Sequence, residues 1–401
     1  MPTLIRITTV PISLQLLLKG QFGYMRAHGY DVITISADGP EVAEIKKDGT
    51  QHVAIPFTRK ITPFQDLKCL WLLIQAFRKL KPDIVHTHTP KAGLLGMLAA
   101  LICRVPVRLH TVAGLPLIEA TGFKRTLLEA AERVTYACAQ VVYSNSEGLK
   151  KFISETFELP DEKLKIIGKG SSNGIDTAFF ERSPEIESVA VAIKEKFRIG
   201  SGDFVFAFAG RIVNDKGITE LVKAFEEVSK EFPTKRLLLL LIGNFEEDHD
   251  PLGEDTVKYL TTDRRVILAG FQTDIRPWIT AADAFVFPSY REGFPNVVMQ
   301  ASLLQVPCIV SDINGCNEII SNGNTGIVVP VKNIKALAEA MKTLVMDDAL
   351  RKQYALAASA FVAENFRREY IWGELRKEYG RLLITAKARR RKGSANKGNK
   401  E

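Results

Sequence analysis

Two stretches in the second half of the chain carry residues suited to holding a polyanion. The first reads Gly210-Arg211-Ile212-Val213-Asn214-Asp215-Lys216-Gly217, between an apolar run at 204–209 and a helical pattern from 218. A guanidinium offers phosphate oxygens a planar fork, an ammonium gives a point charge, and a following helix start adds its dipole. Taken alone, this stretch is equally compatible with a surface loop of routine basic residues. The second reads Pro288-Ser289-Tyr290-Arg291-Glu292-Gly293-Phe294-Pro295-Asn296-Val297-Val298-Met299-Gln300-Ala301. Glu292 falls in a loop after an apolar run, where a carboxylate accepts hydrogen bonds from sugar hydroxyls. The amides of 294–297 open a helix toward phosphate. Gln300, about one turn on, faces the same side and suits ribose hydroxyls. The alternative for this stretch is a capped amphipathic helix with an exposed Glu. His86 and His88 have the i, i+2 spacing of a metal pair, but no third ligand is evident. They read as the end of a buried strand, with His88 turned toward the ligand side.

The elements that must position these residues alternate along the whole chain. Short β-branched runs at 4–9, 31–36, 52–55, 84–87, 107–111 and 141–144 predict strands in the first half. Runs at 204–209, 237–242, 266–269, 284–287, 307–310 and 327–329 predict a second set. Between them, 66–79 places Leu67, Leu70, Trp71, Ile74 and Phe77 at helical spacing. Helices are also expected at 92–103, 124–139, 218–231, 275–281, 295–304 and 334–346. Alternating βα units imply an α/β fold of two Rossmann-like, doubly wound parallel sheets. The expected division is 1–170, a linker at 171–200 that includes Gly200-Ser201-Gly202, a second domain at 201–366, a last helix at 367–385 returning to the first domain, and a disordered basic tail at 386–401. Two such halves place a cleft at the carboxyl ends of both sheets.

Composition narrows the function. A chain of 401 residues suits two domains, and its 46% apolar content is enough for two cores. The five cysteines are scattered, as in a reducing compartment. No apolar run reaches the roughly 18–20 residues that span a bilayer, and the start MPTLIRITTV reads as a strand rather than a signal peptide. A cytoplasmic location is expected. Most of the formal charge of +8 sits in residues 386–401, where Lys387, Arg389, Arg390, Arg391, Lys392, Lys397 and Lys400 face one acid, Glu401. The body lacks the basic stripe of a nucleic-acid binder. The tail reads either as a solubilising segment or as a contact for the anionic inner-leaflet surface, at about 1 kcal/mol per basic residue.

Arg-x4-Lys-Gly after one strand and Pro-Ser-x2-Glu-Gly-Phe-Pro after another, about 80 residues on, resemble the retaining glycosyltransferases of family 4, with GT-B fold. Gly20-Gln21, Gly29-Tyr30-Asp31-Val32, Asp83 to His88, Ser144-Asn145-Ser146, Asn173-Gly174-Ile175-Asp176, Glu318-Ile319-Ile320 and Asn324-Thr325-Gly326 agree with that family. The stretch His86 to Gly93 resembles its capsule and O-antigen branch. The resemblance implies transfer of a hexose, an N-acetylhexosamine or a deoxy derivative from a nucleotide diphosphate sugar, UDP-linked, to a lipid-linked oligosaccharide. It implies that Arg211 and Lys216 neutralise the leaving diphosphate and Glu292 holds the donor sugar. Gly20, Gln21, Gly210, Gly293, Phe294, Pro295, Asn296 and Gln300 would line the donor, with Gly270, Phe271 and Gln272 beside the base. His88 and Lys91 are acceptor-side candidates, and His88 and His110 further catalytic candidates. No metal or cofactor is implied, because the two cations take that role. Asp248-His249-Asp250 imitates the Asp-x-Asp metal site of the other glycosyltransferase fold but reads as a solvated acidic loop.

The chain departs from the family twice. The second of two glutamates eight positions apart is Gln300, and the family's His before Gly114 is Ala113, with His110 three residues earlier in a strand end. These departures keep two other readings open. One is a nucleotide-sugar 2-epimerase of the same architecture, and the other a non-catalytic scaffold subunit.

Overall fold

The computed structural model describes the backbone of residues 1–398 except Asp48, Glu119 and residues 247–249, and side chains as far as Arg389. The chain divides into two compact units, Met1–Gly174 with the segment from Arg368 onward, and Ile175–Arg367.

The first unit carries β1 (Thr3–Ile7), α1 (Pro11–Leu17), α2 (Gln21–Ala27), β2 (Asp31–Ser36), α3 (Glu41–Lys46), β3 (Gln51–Ala54) and α4 (Pro63–Leu80). It continues with β4 (Ile84–Thr87), α5 (Pro90–Ile102), β5 (Val107–Val112), α6 (Gly122–Cys138), β6 (Val141–Ser144), α7 (Glu147–Phe157) and β7 (Leu164–Ile166). Its sheet is parallel, in the order β3-β2-β1-β4-β5-β6-β7. Along one face α5 packs between α4 and α6, closing a core that includes Leu73, Phe77, Met97 and Tyr136.

The second unit holds α8 (Pro184–Lys196), β8 (Phe204–Ala209), α9 (Ile218–Glu231), β9 (Leu237–Ile242), α10 (Glu254–Thr262), β10 (Val266–Gly270) and α11 (Arg276–Thr280). Then come β11 (Ala284–Phe287), α12 (Asn296–Leu303), β12 (Cys308–Ser311), α13 (Cys316–Ile319), β13 (Gly326–Val329), α14 (Ile334–Met346) and α15 (Asp348–Asn365). Its parallel sheet runs β10-β9-β8-β11-β12-β13. Every residue of β8 (FVFAFA) and β9 (LLLLLI) is buried. That is why these strands read as continuous apolar runs: helices cover both faces of the sheet. The final helix, α16 (Arg368–Gly398), belongs to the first unit. Its Leu375 and Tyr379 pack with Leu4, Ile84, Leu109 and Tyr143, on the face opposite α5.

Besides adding β7, α3, α7, α10, α13 and α15, the fold departs from the sequence reading at three places. The expected linker contains α8, whose Ser183 cap accepts from the Ile186 amide and whose Ala190 and Ile193 pack on Ala281 and Trp278. The stretch between the first two strands, for which no element was expected, holds two helices, α1 and α2, with Gly20 at the start of α2. Residues 386–398 of the expected disordered tail continue α16 to Gly398, and 399–401 lie outside the described residues. Ala, Lys and Arg are strong helix formers, so these residues extend a helix that tertiary packing has already nucleated. The Asp248-His249-Asp250 stretch falls mostly outside the described residues.

One buried acid gives the first unit a pH dependence. Glu132 in α6 is 5% exposed, and burial pushes its carboxyl up from 4.5 to about 7. The folded chain then retains a proton that the unfolded chain has released, so stability falls as pH rises from about 4.5 through 7. Between pH 5 and pH 8 the wild type is expected to lose about 2–3 kcal/mol through this group. Glu132→Gln should remove that loss, read as urea midpoints at the two pH values. Equal pH dependence in both proteins would exclude a role for Glu132.

Candidate active site

The two stretches singled out in the sequence meet at the switch point of the second sheet, where β8 and β11 are neighbours and the chain order reverses. After β8 the chain passes through Gly210 and Arg211 into a short 3-10 turn, Asn214–Lys216, and Gly217 opens α9. After β11, Pro288 to Pro295 lead into α12.

Backbone contact joins the two loops. The Tyr290 amide donates to the Asp215 carbonyl at 2.8 Å. Gly217 has φ +70°, and a Cβ there would lie 2.1 Å from the Pro288 carbonyl oxygen. Only glycine fits both demands. At the next strand boundary, a Cβ on Gly243 would sit 1.9 Å from the Gly210 oxygen. Gly315, ahead of α13, approaches the Gly293 carbonyl and Phe294 in the same way.

Charged side chains complete the seam. Lys216 Nζ donates to Glu292 Oε1 at 2.6 Å, and both side chains are less than one-fifth exposed. Ser289 Oγ donates to the same carboxylate oxygen at 3.1 Å. Arg291 Nη2 donates to Asp215 Oδ2 at 3.0 Å. Arg211 Nη1 donates to Glu246 Oε2 at 3.1 Å, with Asp215 Oδ2 3.9 Å from its Nη2. Tyr290 donates to Glu220 Oε2 at 2.6 Å; burial, then this carboxylate, pushes its hydroxyl above its ordinary range. Burial likewise holds Cys316 as a neutral thiol, reinforced by the Glu292 charge. Each candidate cation is therefore already aimed by a carboxylate.

Beside the seam lies an open cavity of about 440 Å³, within the range of small-molecule sites. Gly210, Arg211, Asn244, Phe271, Asn296 and Gln300 are among its lining residues. Gln272 also lines it and is tied by its amide to the Ala269 carbonyl at 2.6 Å. Phe271 is 72% exposed, a flat apolar surface at the mouth. Gly270 takes φ +67° where β10 ends. Asn296 and Gln300 stand four residues apart on α12, so both present the same helix face. Phe294 and Pro295 take other parts. Phe294 is buried, its ring 5.1 Å from that of Phe366, and Pro295 caps α12 without an N–H to offer.

The remaining candidates belong to the first unit. Gly20 (φ +79°) lies under the Trp372 ring, and Gln21 is buried with its amide on Asn173 Oδ1 at 2.9 Å. Lys91 is held by Asp66 Oδ1 at 2.7 Å and by Thr58 Oγ1 at 3.1 Å, which pins the start of α5 to α4. His110 lies inside β5, bonded to Thr87 Oγ1 at 2.7 Å, and burial lowers its pKa to about 3. A Cβ on Gly93 of α5 would meet its ring at 2.5 Å. His110 is thus a neutral core residue under α5, not a group at the strand ends. His86 bonds Tyr379 Oη at 2.6 Å and Thr111 Oγ1 at 2.7 Å. Arg6 Nε donates to His88 Nε2 at 3.0 Å, so His88 carries its proton on Nδ1. Burial, then Arg6 and the neighbouring histidines, hold His86 and His88 neutral.

Sequence reasoning missed Asp215, Asn244, Glu246 and Gly315. Asp215 was inside the quoted motif, but only the fold shows that it binds the second loop through Arg291 and Tyr290. Nothing local marks Asn244, whose Oδ1 accepts from the Phe271 amide at 2.9 Å.

Residues 203–347 match the model described as "Glycosyl transferases group 1", and residues 20–170 match the "Glycosyl transferase 4-like domain". The chain is 36% identical over 369 residues to the capsular polysaccharide biosynthesis glycosyltransferase CapM of Staphylococcus aureus, covering 92% of this chain and 94% of that one. It is 28% identical to the UDP-Gal:alpha-D-GlcNAc-diphosphoundecaprenol alpha-1,3-galactosyltransferase of Escherichia coli, over 82% of this chain and 84% of that one. The crystal structure of Anabaena Alr3699/HepE in complex with UDP superposes with a TM-score of 0.77, covering 95% of this chain and all of that chain at 18% identity. The chain belongs to the glycosyltransferase family 4 group, with two Rossmann-like units of GT-B type. It is a glycosyltransferase, which decides between transfer and epimerisation.

The glycine at the seam gives a test. Gly217→Ala places a left-handed backbone and a clash at one position, at a cost of about 1–3 kcal/mol. Gly202→Ala meets nothing within 4 Å and should stay within about 0.5 kcal/mol of wild type. Chemical denaturation of both variants checks the contrast, and equal stabilities would refute the seam.

Proposed function

We propose that the protein is a retaining glycosyltransferase that takes a UDP-linked hexose, N-acetylhexosamine or deoxy derivative in the cavity beside Arg211 and passes the sugar to a lipid-linked saccharide during capsular or related cell-surface polysaccharide synthesis. The observation that carries this reading is the meeting of Arg211, Lys216, Glu292 and Gln300 at the switch point of the second sheet.

In this reading Lys216 and Arg211 exchange part of their carboxylate contact for the donor diphosphate. They oppose the charge that grows as the bond from sugar C1 to phosphate oxygen breaks. Glu292, through the carboxylate oxygen that Lys216 does not hold, accepts hydrogen bonds from donor hydroxyls. The first amides of α12 add a partial positive charge, Gln300 takes the ribose, and Phe271 covers the base beside Gln272. The acceptor hydroxyl bonds to C1 on the face the diphosphate leaves, and its proton passes to the departing phosphate oxygen. No enzyme nucleophile is needed, so Ala113 in place of a histidine is compatible with turnover, and neither metal nor cofactor is required. The acceptor belongs to the first unit, near the strand ends that carry His88. The printed name of the E. coli relative includes a UDP-sugar donor and a diphosphoundecaprenol-linked acceptor, and that of the S. aureus relative a capsular role. Both support the assignment here, as does UDP in the Anabaena structure. No helix of the described residues is long and apolar enough to cross a membrane. We place the enzyme at the cytoplasmic membrane face, with the basic end of α16 toward anionic lipid.

A panel of nucleotide sugars in calorimetry and turnover assays tests this. Arg211→Ala and Lys216→Ala should each weaken UDP binding or kcat/KM about 10–100-fold, since a hydrogen bond to a charged group is worth about 1.5–3 kcal/mol. The Lys216 change should act more on kcat than on KM. UDP affinity unchanged in the double variant, with the fold intact by circular dichroism, would overturn the reading.

A further inference from the structure

The first unit holds a cavity of about 10 Å³, room for one particle about the size of a water molecule. Arg6, His88, Thr111, Ser171 and Ser172 belong to its polar lining, and α16 adds apolar residues. The hydrogen bonds around it run in one direction. Arg6 Nη1 donates to Tyr379 Oη at 3.1 Å, so Tyr379 gives its own proton to His86 Nδ1 at 2.6 Å. His86, held neutral by burial, then carries its ring proton on Nε2 and donates to Thr111 Oγ1 at 2.7 Å. The proton of the Thr111 hydroxyl is left over. Ser171 Oγ accepts from the Gly174 amide at 3.0 Å, so its proton is left over as well. Arg6 Nε donates to His88 Nε2 at 3.0 Å, which puts the His88 proton on Nδ1.

The side chains around the cavity are therefore rich in donors. Arg6 Nη2, His88 Nδ1 and Ser172 Oγ are buried with no hydrogen-bond partner among the described residues. Arg6 is 1% exposed and His88 4%. The guanidinium keeps its charge, and no carboxylate pairs with it among the described residues. An unpaired buried donor costs free energy, and an unpaired buried charge costs more. A water molecule would accept from two of these donors, but it would bring two further protons and no charge. A small anion accepts from all of them and supplies the missing charge. A metal cation would face the guanidinium, and a phosphate group exceeds the volume.

We propose that this cavity binds one chloride-sized monovalent anion, held by Arg6 Nη2 and His88 Nδ1 with the hydroxyl of Ser172. The anion neutralises Arg6 and so firms the junction at which Tyr379 ties α16 to β1 and β4. The site lies wholly in the first unit and requires no bound donor.

Bromide takes the place of chloride in such a site and scatters X-rays anomalously, so crystals of the full chain grown in sodium bromide test the proposal. An anomalous peak is expected in the cavity, in contact with Arg6 Nη2 and His88 Nδ1. Density for a water there, without anomalous signal, would overturn the proposal. In solution, the melting temperature should rise about 3–6 °C for each tenfold increase in bromide above its dissociation constant, with sodium gluconate keeping ionic strength fixed. Arg6→Met, which removes the charge, and Ser172→Val, which replaces the hydroxyl with two methyls, should both lose this dependence. Where Arg6→Met does not fold, Ser172→Val and the crystals carry the test. An equal rise in wild type and Ser172→Val would mark adventitious halide on the surface and sink the idea. These readouts use neither nucleotide sugar nor acceptor, so failure here and failure of the transferase reading are told apart.

Discussion

The second unit depends on the contact between two loops at the reversal in its strand order. Parallel strands β8 and β11 send their chains to opposite sides, and the loops that follow must be tied together for any site between them to hold its shape. Gly217 lets backbone touch backbone at Pro288, and Asp215 accepts from the Tyr290 amide. The half-buried pair of Lys216 and Glu292 closes the seam. An ion pair this short, with its atoms largely shielded, fixes both side chains. Rigid placement is what electrostatic stabilisation of a growing charge requires.

The first unit is organised around a buried cation. Arg6 is 1% exposed and has no carboxylate partner among the described residues. It is held by neutral acceptors, His88 Nε2 and Tyr379 Oη, and burial pulls its pKa down. Tyr379 comes from α16 and also contacts His86, so the C-terminal helix is written into the polar core beneath β1 and β4. Trp372, two turns earlier on the same face of α16, donates to Asn173 Oδ1 at 2.7 Å and covers Gly20. Gly20 and Gln21, which the family resemblance places along the donor, thus form with Asn173 a packed junction in this unit.

Much of this was legible in advance. The strands were readable because buried parallel strands are apolar throughout, and β8, β9, β11 and β12 leave little room for another interpretation. The meeting of Arg211, Lys216, Glu292 and Gln300 was readable because all four follow strands of one parallel sheet, in the loops and first helical turns at its carboxyl ends. The helices α1, α2 and α8 were not. Their apolar faces are short, and their stability comes from neighbours distant in the chain, such as Trp278 against α8.

His110 and Lys91 show where local chemistry misleads. A histidine near a strand end and a lysine at a helix start both look available, yet one lies beneath Gly93 and the other is bound by Asp66. Sequence by itself determined the fold class, every strand but β7, and which charged and amide residue types gather at the switch point of the second sheet, because burial and charge act through composition and spacing. Only the tertiary structure decided which groups face a cavity, which are tied to a partner and which sit neutral in a core. Those outcomes depend on atoms brought together from positions tens to hundreds of residues apart.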